Sequence, residues 1–167
     1  MGAPVSQVEV KQATSAEDFA VAKTLIEHYA AELNVDLCFQ DFAEEIADLS
    51  GMYGPPGGCL LLASAGGEVV GCVAVRKLDA GSCEMKRLYV QPQHRAAGVG
   101  RRLAEIAIAT AAELGYTQMM LDTLPDMNEA QAIYASLGFE EIAGYYPNPL
   151  PGVRYLVCRL GGDKPDS

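Results

Sequence analysis

The sequence predicts a single α/β domain with a mixed, mostly antiparallel central sheet of about seven strands, flanked by about four helices. Three observations support this prediction. The chain has 167 residues, half of them hydrophobic, which suffices for one domain with a proper core. Segments with strand character alternate with segments of helical periodicity. Turn-forming glycines and prolines separate these segments, and we find no repeat or linker.

The first 58 residues are predicted to contain one strand and two helices. Residues 5–13 alternate weakly, as in a strand, and Thr14 or Ser15 before two acids is typical of a helix N-cap. The helix then continues through apolar residues at helical spacing: Phe19, Ala22, Ile26, Tyr29 and Leu33. A second, short helix is predicted over residues 40–49, and the segment 51–58 is a turn-rich loop.

Three consecutive strands are predicted next, at Cys59–Ala65, 68–78 and 83–90. Gly66-Gly67 between the first two is a strong hairpin signal, and residues 79–82 form the following turn. The three strands therefore form a meander.

The remaining elements are two helices and three strands. The helix 98–114 has one apolar face and is stopped by Gly115, and the helix 126–137 has Asp126 as its expected N-cap. The predicted strands are 117–124, 139–144 and 153–160, the last two separated by a proline-rich segment. The tail 161–167 is expected to be disordered, which leaves 1–160 as the domain.

Composition excludes several functions. A net charge of −10 argues against nucleic-acid binding. No apolar run approaches the ~20 residues of a membrane span, and the N-terminus lacks a signal-peptide pattern. The five cysteines form no C-x-x-C pair, which indicates reduced thiols and a cytoplasmic location. His28 and His94 are far apart, so no metal site is expected.

Charge is unevenly distributed along the chain. Residues 1–50 hold ten acids and two bases, whereas the window from Met85 to Ala104 contains no acid and five bases: Lys86, Arg87, Arg95, Arg101 and Arg102. Such a window in an acidic protein indicates an anion site, although chance clustering on a solvated face remains an alternative.

The segment between the strand 83–90 and the helix 98–114 has the features of a phosphate-binding loop. Gly98 and Gly100 allow close backbone approach, and the helix N-terminus presents unpaired N–H groups. Arg101 and Arg102 would be disfavoured there by roughly 0.3–1 kcal/mol each unless an anion is bound. An ordinary strand–helix turn is the alternative. Walker and Rossmann loops fit worse, since Gly100 precedes two arginines and Leu103 stands where a third glycine is needed.

Two blocks resemble the GNAT N-acetyltransferase family. Arg95-x-x-Gly98-x-Gly100 is similar to the family signature Q/R-x-x-G-x-G/A, with Ala96 where glycine is usual. Leu88-Tyr89-Val90-x-Pro92 resembles the bulged strand end before that loop. Asn128-x-Ala130-x-x-x-Tyr134-x-x-x-Gly138-Phe139 resembles the second block.

The resemblance implies a GNAT-like domain that transfers acetyl from acetyl-CoA to a primary amine by direct attack. Cofactor contacts then fall on eleven residues: Leu88, Tyr89, Val90, Arg95, Ala96, Ala97, Gly98, Val99, Gly100, Arg101 and Asn128. The first alternative is a GNAT-fold module that binds acyl-CoA as a regulator without catalysis. A different nucleotide-binding protein is the second.

Family resemblance also implies catalytic roles. Tyr134 aligns with the tyrosine that protonates the departing thiolate, and the Val90 N–H is the candidate oxyanion donor. Glu84 is the candidate base. Six residues separate it from Val90, so period-two alternation places both on one face, unless a bulge near Leu88 shifts the parity by one. Weaker alternatives for the base are His28, Tyr29 and Asp122. Each assignment competes with a purely structural role.

The sequence indicates less about the amine acceptor than about the acetyl donor. In this fold the first two helices frame the acceptor, so His28 and Tyr29 are candidate substrate contacts, with Tyr145 near the proline-rich loop. Eight net negative charges in residues 1–50 suggest a cationic small molecule or peptide, although these acids also serve solubility. A homodimer is common in the family, but no residue here demonstrates one.

Overall fold

A computed structural model describes residues 8–33, 41–148 and 150–160, which form one seven-stranded sheet with helices on both faces. The strands are β1 (Glu9–Gln12), β2 (Cys59–Ala65), β3 (Glu68–Lys77), β4 (Ser82–Val90), β5 (Gln118–Thr123), β6 (Glu140–Ile142) and β7 (Arg154–Arg159). The helices are α1 (Ala16–Leu33), α2 (Phe42–Ala47), α3 (Leu49–Tyr53), α4 (Val99–Glu113) and α5 (Asn128–Ser136). A 3₁₀ helix, Pro92–Ala97, precedes α4.

The sheet order is β1-β2-β3-β4-β5-β7-β6. β4 and β5 are parallel, and the other neighbouring pairs are antiparallel. The predicted fold class, a mostly antiparallel mixed sheet of seven strands, is therefore confirmed. Val5 in the first predicted strand, Gln40, Cys38 and the tail 161–167 lie outside the described residues.

The predicted helix 40–49 is two short helices instead of one. Asp48 separates α2 from α3, because its backbone leaves the helical region with φ −147° and ψ 60°. Its side chain then accepts a hydrogen bond from the Gly51 N–H at 3.1 Å, as an N-cap does. The predicted loop 51–58 accordingly starts later, after Tyr53.

The two faces of the sheet carry separate hydrophobic cores. On one face Leu103 and Ala107 of α4 pack against Val73 and Val75, all fully buried. On the other face α1 and α3 pack against a set that includes Leu25, Ile26, Tyr53, Leu60, Leu62, Cys72 and Ala74. Within the described residues, no helix combines the length and the apolar character needed to cross a membrane.

β4 and β5 separate towards their C-terminal ends. Their pairing runs from Ser82 opposite Gln118 to Glu84 opposite Met120 and stops there. β3 still pairs with β4 as far as Val90. Among the residues that the structure describes, the edge of β4 that faces β5 therefore has no strand neighbour beyond Glu84, and a cleft opens between the two strands.

The N-terminus of α1 is capped as the sequence predicts. The Asp18 N–H donates to Ser15 Oγ at 3.0 Å, and the Asp18 carboxylate accepts from the backbone N–H groups of Thr14 and Ser15. These contacts form a capping box with aspartate in the place of glutamate. The hydrogen bond from the Thr14 N–H, together with those from Lys11 and Ser15, lowers the pKa of Asp18 to about 2.

Ser15→Ala is expected to lower the free energy of unfolding by about 1 kcal/mol, because one N-terminal N–H of α1 loses its acceptor. Urea denaturation followed by circular dichroism measures the change. Thr14→Ala is the matched control, since Thr14 contributes its backbone N–H to the cap. Equal stability of the two variants would contradict the role of the Ser15 hydroxyl.

The predicted N-cap of the helix 126–137 is wrong. The cap position is Met127, without a side-chain cap bond, and the helix begins at Asn128. A turn closed by the Met127 N–H and the Leu124 carbonyl comes directly before it. Asp126 lies inside that turn, one residue too early to cap α5.

Candidate active site

The cleft between β4 and β5 continues into a cavity of about 770 Å³. Its lining comes from the end of β4, the 3₁₀ helix, the start of α4 and the start of α5: Leu88, Tyr89, Val90, Arg95, Gly98, Gly100, Arg101 and Asn128 are among these residues. Eight of the eleven predicted cofactor contacts therefore line one cavity, although they come from β4, the 3₁₀ helix, α4 and α5. Ala96, Ala97 and Val99 are the other three, within the 3₁₀ helix and at the start of α4.

The start of α4 has the geometry of an anion site. Gly98 adopts φ 81° and ψ 13°, a left-handed conformation that favours glycine. The hydrogen-bond ladder of α4 begins with Arg102 donating to the Gly98 carbonyl, so the N–H groups of Val99, Gly100 and Arg101 precede it. Such N–H groups carry the positive end of the helix dipole. Gly98 and Gly100 line the cavity, which brings this end of α4 to its wall.

Basic residues of the acid-free window line two different cavities. Arg95 donates through Nε to the Val90 carbonyl at 2.7 Å and pairs with Glu32 of α1 at 2.6 Å. Arg101 pairs with Glu105 at 3.1 Å. Both arginines line the large cavity. The acid-free window is therefore not one anion site, since Lys86 and Arg87 line a second, smaller cavity instead.

The smaller cavity, of about 40 Å³, continues from the inner end of the cleft. The two cavities share five lining residues: Tyr29, Leu33, Leu88, Leu124 and Met127. The polar groups around the smaller one come from β4, β5, α5 and the β6–β7 loop: Lys86, Arg87, Asp122, Thr123, Tyr134 and Asn148. The two cavities thus join at these shared residues, where a ligand in one would meet a ligand in the other.

Tyr134 is buried on α5 and lines the smaller cavity. Its ring packs against Phe139 with centroids 5.6 Å apart. Burial raises the pKa of its phenol, and the negative charge of Asp122 adds to the rise. The hydroxyl therefore keeps its proton at neutral pH, as a proton donor must.

Glu84 lies on the opposite face of β4 from Val90, so the predicted shared face is wrong. The cause is a bulge at Arg87, a non-glycine residue with φ 61°. There Cys72 pairs with Tyr89 while Ala74 pairs with Lys86, which leaves one extra residue in β4 and shifts the alternation. The bulge that the sequence anticipated near Leu88 lies one residue earlier.

Both oxygens of Glu84 have protein partners. Oε1 accepts from Arg76 Nε at 2.8 Å, and Oε2 accepts from the Tyr145 hydroxyl at 2.7 Å. The residue is 1% exposed and lines neither cavity. Glu84 thereby joins β3, β4 and the β6–β7 loop.

Asp122, near the end of β5, does line the smaller cavity. It accepts from the Tyr146 hydroxyl and, at 3.3 Å, from Asn148 Nδ2. Both contacts use Oδ2, so Oδ1 is the oxygen with which Asp122 can accept a further hydrogen bond. Two adjacent tyrosines of one loop, Tyr145 and Tyr146, thus bind the acids of the two strands that separate.

Comparison with known proteins shows the family to which the chain belongs. Residues 21–139 match the profile of the acetyltransferase (GNAT) family. An uncharacterized N-acetyltransferase of Schizosaccharomyces pombe is 39% identical over 93% of this chain and 96% of its own length. The chain belongs to the GNAT acetyltransferase family.

Solved structures of GNAT acetyltransferases share the fold. An acetyltransferase of Streptococcus agalactiae has a TM-score of 0.74 at 23% identity, covering 92% of this chain and 99% of its own. A GNAT acetyltransferase of Elizabethkingia anophelis with acetyl-CoA bound has a TM-score of 0.62 at 18% identity, covering 93% and 99%. As a member of the GNAT acetyltransferase family, this protein is an acetyl-CoA-dependent acetyltransferase.

The cleft of this GNAT acetyltransferase fits the donor. Coenzyme A has a pyrophosphate and an extended pantetheine arm with amide groups. The N-terminus of α4 offers N–H groups to the first, and the unpaired edge of β4 offers backbone groups to the second. The large cavity connects the two.

Of the three predicted acceptor contacts of the acetyltransferase, one lines the cavities and two do not. Tyr29 lines both cavities, whereas His28, the next residue around α1, is exposed and lines neither. Tyr145 packs edge-on against Tyr146 and Tyr155 and donates to Glu84. The structure thus brings Tyr29 to the site and gives Tyr145 a supporting position behind it.

Sequence reasoning missed a buried ion pair beside the smaller cavity. Arg87 donates to Glu45 through Nε at 2.9 Å and Nη2 at 2.6 Å, and the Tyr53 hydroxyl donates to the same carboxylate at 2.8 Å. Arg87 and Glu45 are 42 residues apart, so no local spacing announces their contact. The available signal is the presence of three charged residues, Glu84, Lys86 and Arg87, inside one predicted strand.

Proposed function

We propose that this acetyltransferase transfers the acetyl group of acetyl-CoA to a primary amine by direct attack. The observation that carries the proposal is the junction of the two cavities, with Tyr134 and Asp122 around the smaller one. One group can donate a proton there and the other can accept one. Bound acetyl-CoA supplies the thioester carbonyl that the amine attacks.

The donor is held by backbone groups in this proposal. The N–H groups of Val99, Gly100 and Arg101 bind the pyrophosphate, and the main chain from Leu88 to Val90 binds the pantetheine arm as an added strand. Asn128, at the start of α5, contacts the arm from the other wall of the cleft. The Val90 N–H donates to the acetyl oxygen.

Asp122 is the proposed proton acceptor for the amine, directly or through one water. It lines the smaller cavity and has one carboxylate oxygen outside its contacts with Tyr146 and Asn148. Glu84, the acceptor expected from the sequence, is engaged by Arg76 and Tyr145 and lies outside both cavities. We assign Glu84 to positioning the β6–β7 loop.

Tyr134 is the proposed proton donor to the departing sulfur. Tyr134 lines the cavity on the α5 side, and its raised pKa keeps the proton on the phenol before the acetyl group moves. Proton transfer by a positioned side chain contributes about 10²–10⁴-fold to such reactions.

Ion pairs already account for several acids that suggested a cationic acceptor. Asp18 pairs with Lys11, Glu32 with Arg95, and Glu45 with Arg87. Those acids therefore give the cationic-acceptor hypothesis no support, and it stays a prediction. So do the domain limits 1–160, the homodimer and the cytoplasmic location.

Amine-dependent turnover tests the proposed function. The protein is incubated with acetyl-CoA and a library of primary amines, and free thiol and the mass of each product are measured. We expect equimolar thiol and N-acetylated amine. Stabilisation by acetyl-CoA in a thermal scan, without thiol release above hydrolysis for any amine, would favour a regulatory acyl-CoA-binding module instead.

A further inference from the structure

Arg87 is a buried cation at the wall of the smaller cavity. It is 5% exposed, and its guanidinium lies 5.8 Å from the Tyr29 ring centroid and 5.5 Å from that of Phe42. Glu45 engages Nε and Nη2 in a bidentate pair. Glu45 does not engage Nη1, and the guanidinium, which also interacts with Tyr29, is held in a fixed orientation.

Two features of Arg87 are unfavourable for folding by themselves. Its backbone lies in the left-handed region, with φ 61°, which is strained for a non-glycine residue. Burial of the ion pair removes both charges from water, and apolar residues of similar volume often stabilise a fold as well or better. Strain and a buried charge at a cavity wall are therefore better explained by ligand recognition than by stability.

Lys86 contributes a second positive charge to the same cavity. The bulge at Arg87 is what brings these consecutive residues to one cavity, because a regular strand would direct them to opposite faces. Burial and the charge of Arg87 lower the pKa of Lys86. An anion bound beside both side chains would offset this repulsion.

The charges of the cavity come from two strands. Lys86 and Arg87 lie on β4, whereas Asp122 lies near the end of β5, beyond the last pairing of the two strands. A zwitterion matches this arrangement, with its amine towards Asp122 and its anionic group towards β4. The smaller cavity, of about 40 Å³, opens into the large one, so an acceptor can extend beyond it.

We propose that the acceptor is a small amine that carries a carboxylate within a few bonds of the nitrogen, as amino acids do. Arg87 Nη1 and the Lys86 ammonium bind the carboxylate, while the amine faces Asp122. This inference rests on the proposed function, because it names the substrate class of the same site.

Matched acceptors test the inference. Each amino acid of a panel is offered beside its amide and its decarboxylated amine, with spermidine as the polycationic arm, and kcat/KM is measured from thiol release. We expect the best amino acid to exceed its amide and its decarboxylated amine by tenfold or more. A preference for the decarboxylated amine, the amide or spermidine would overturn the inference and leave amine acetylation intact. If no amine raised thiol release above hydrolysis, the proposed function itself would be contradicted.

A variant separates recognition from structure. Lys86→Met is expected to lower kcat/KM for the amino acid by about tenfold, the effect of one charge-assisted hydrogen bond, and to leave the amide within twofold. Lys77→Met, at the exposed end of β3, is the control and should change neither. Because each ratio compares one acceptor between proteins, differences in amine basicity cancel. An equal loss for amino acid and amide would indicate a structural role and contradict the assignment.

Discussion

Tyr134→Phe is expected to lower kcat by about 100-fold and to leave the affinity for acetyl-CoA unchanged. The substitution removes the hydroxyl that lines the smaller cavity and keeps the ring that packs against Phe139. Without that hydroxyl, the sulfur leaves as an unprotonated thiolate. Steady-state kinetics measures the loss, and calorimetric titration with CoA measures binding.

Tyr116→Phe is the matched control for this prediction. Tyr116 is also a buried tyrosine with a raised pKa, but its hydroxyl donates to the Gly57 carbonyl and it lines neither cavity. Its kcat should stay within twofold of the parent protein. A Tyr134→Phe protein with unchanged kcat would show that the proton comes from another group.

Asp122→Asn is expected to lower kcat/KM by about 100-fold, since the amide cannot accept the proton of the attacking amine. The shape of the side chain is kept, and the asparagine oxygen can still accept from Tyr146. Initial rates at saturating acetyl-CoA measure the effect. Asp126→Asn is the matched control, because Asp126 lines the large cavity only.

Glu84→Gln distinguishes the two candidate bases. We expect a smaller loss of activity than for Asp122→Asn, together with a lower midpoint of thermal unfolding, because the ion pair with Arg76 is lost. A larger loss of turnover for Glu84→Gln, at unchanged stability, would return the role of base to Glu84.

Local sequence chemistry predicted most of the fold. The Gly66-Gly67 hairpin turn has φ 62° and 84°, positions that glycine adopts without strain. The Ser15 cap of α1 and the start of α4 after Gly98 could be predicted, because each depends on residues that are near in sequence. The boundary at Asp48 and the cap of α5 were missed, since a turn competes with the helix at both places.

The site was predictable where it depends on backbone groups and not where it depends on distant contacts. Gly98, Gly100 and the end of β4 follow from a loop motif of consecutive residues. The position of the bulge at Arg87 decides whether Glu84 and Val90 lie on the same face of β4. One extra residue between them reverses the alternation and places them on opposite faces. The partner of Arg87, Glu45, is 42 residues away, and only the packing of α2 against the sheet brings the two together.

A crystal structure of the complex with CoA tests the central claim most directly. The account predicts the pyrophosphate at the N–H groups of Val99–Arg101, the pantetheine arm along β4 from Leu88 to Val90, and the sulfur within hydrogen-bond distance of the Tyr134 hydroxyl. Density for CoA that leaves the β4–β5 cleft empty, or a sulfur remote from both Tyr134 and Asp122, would contradict it.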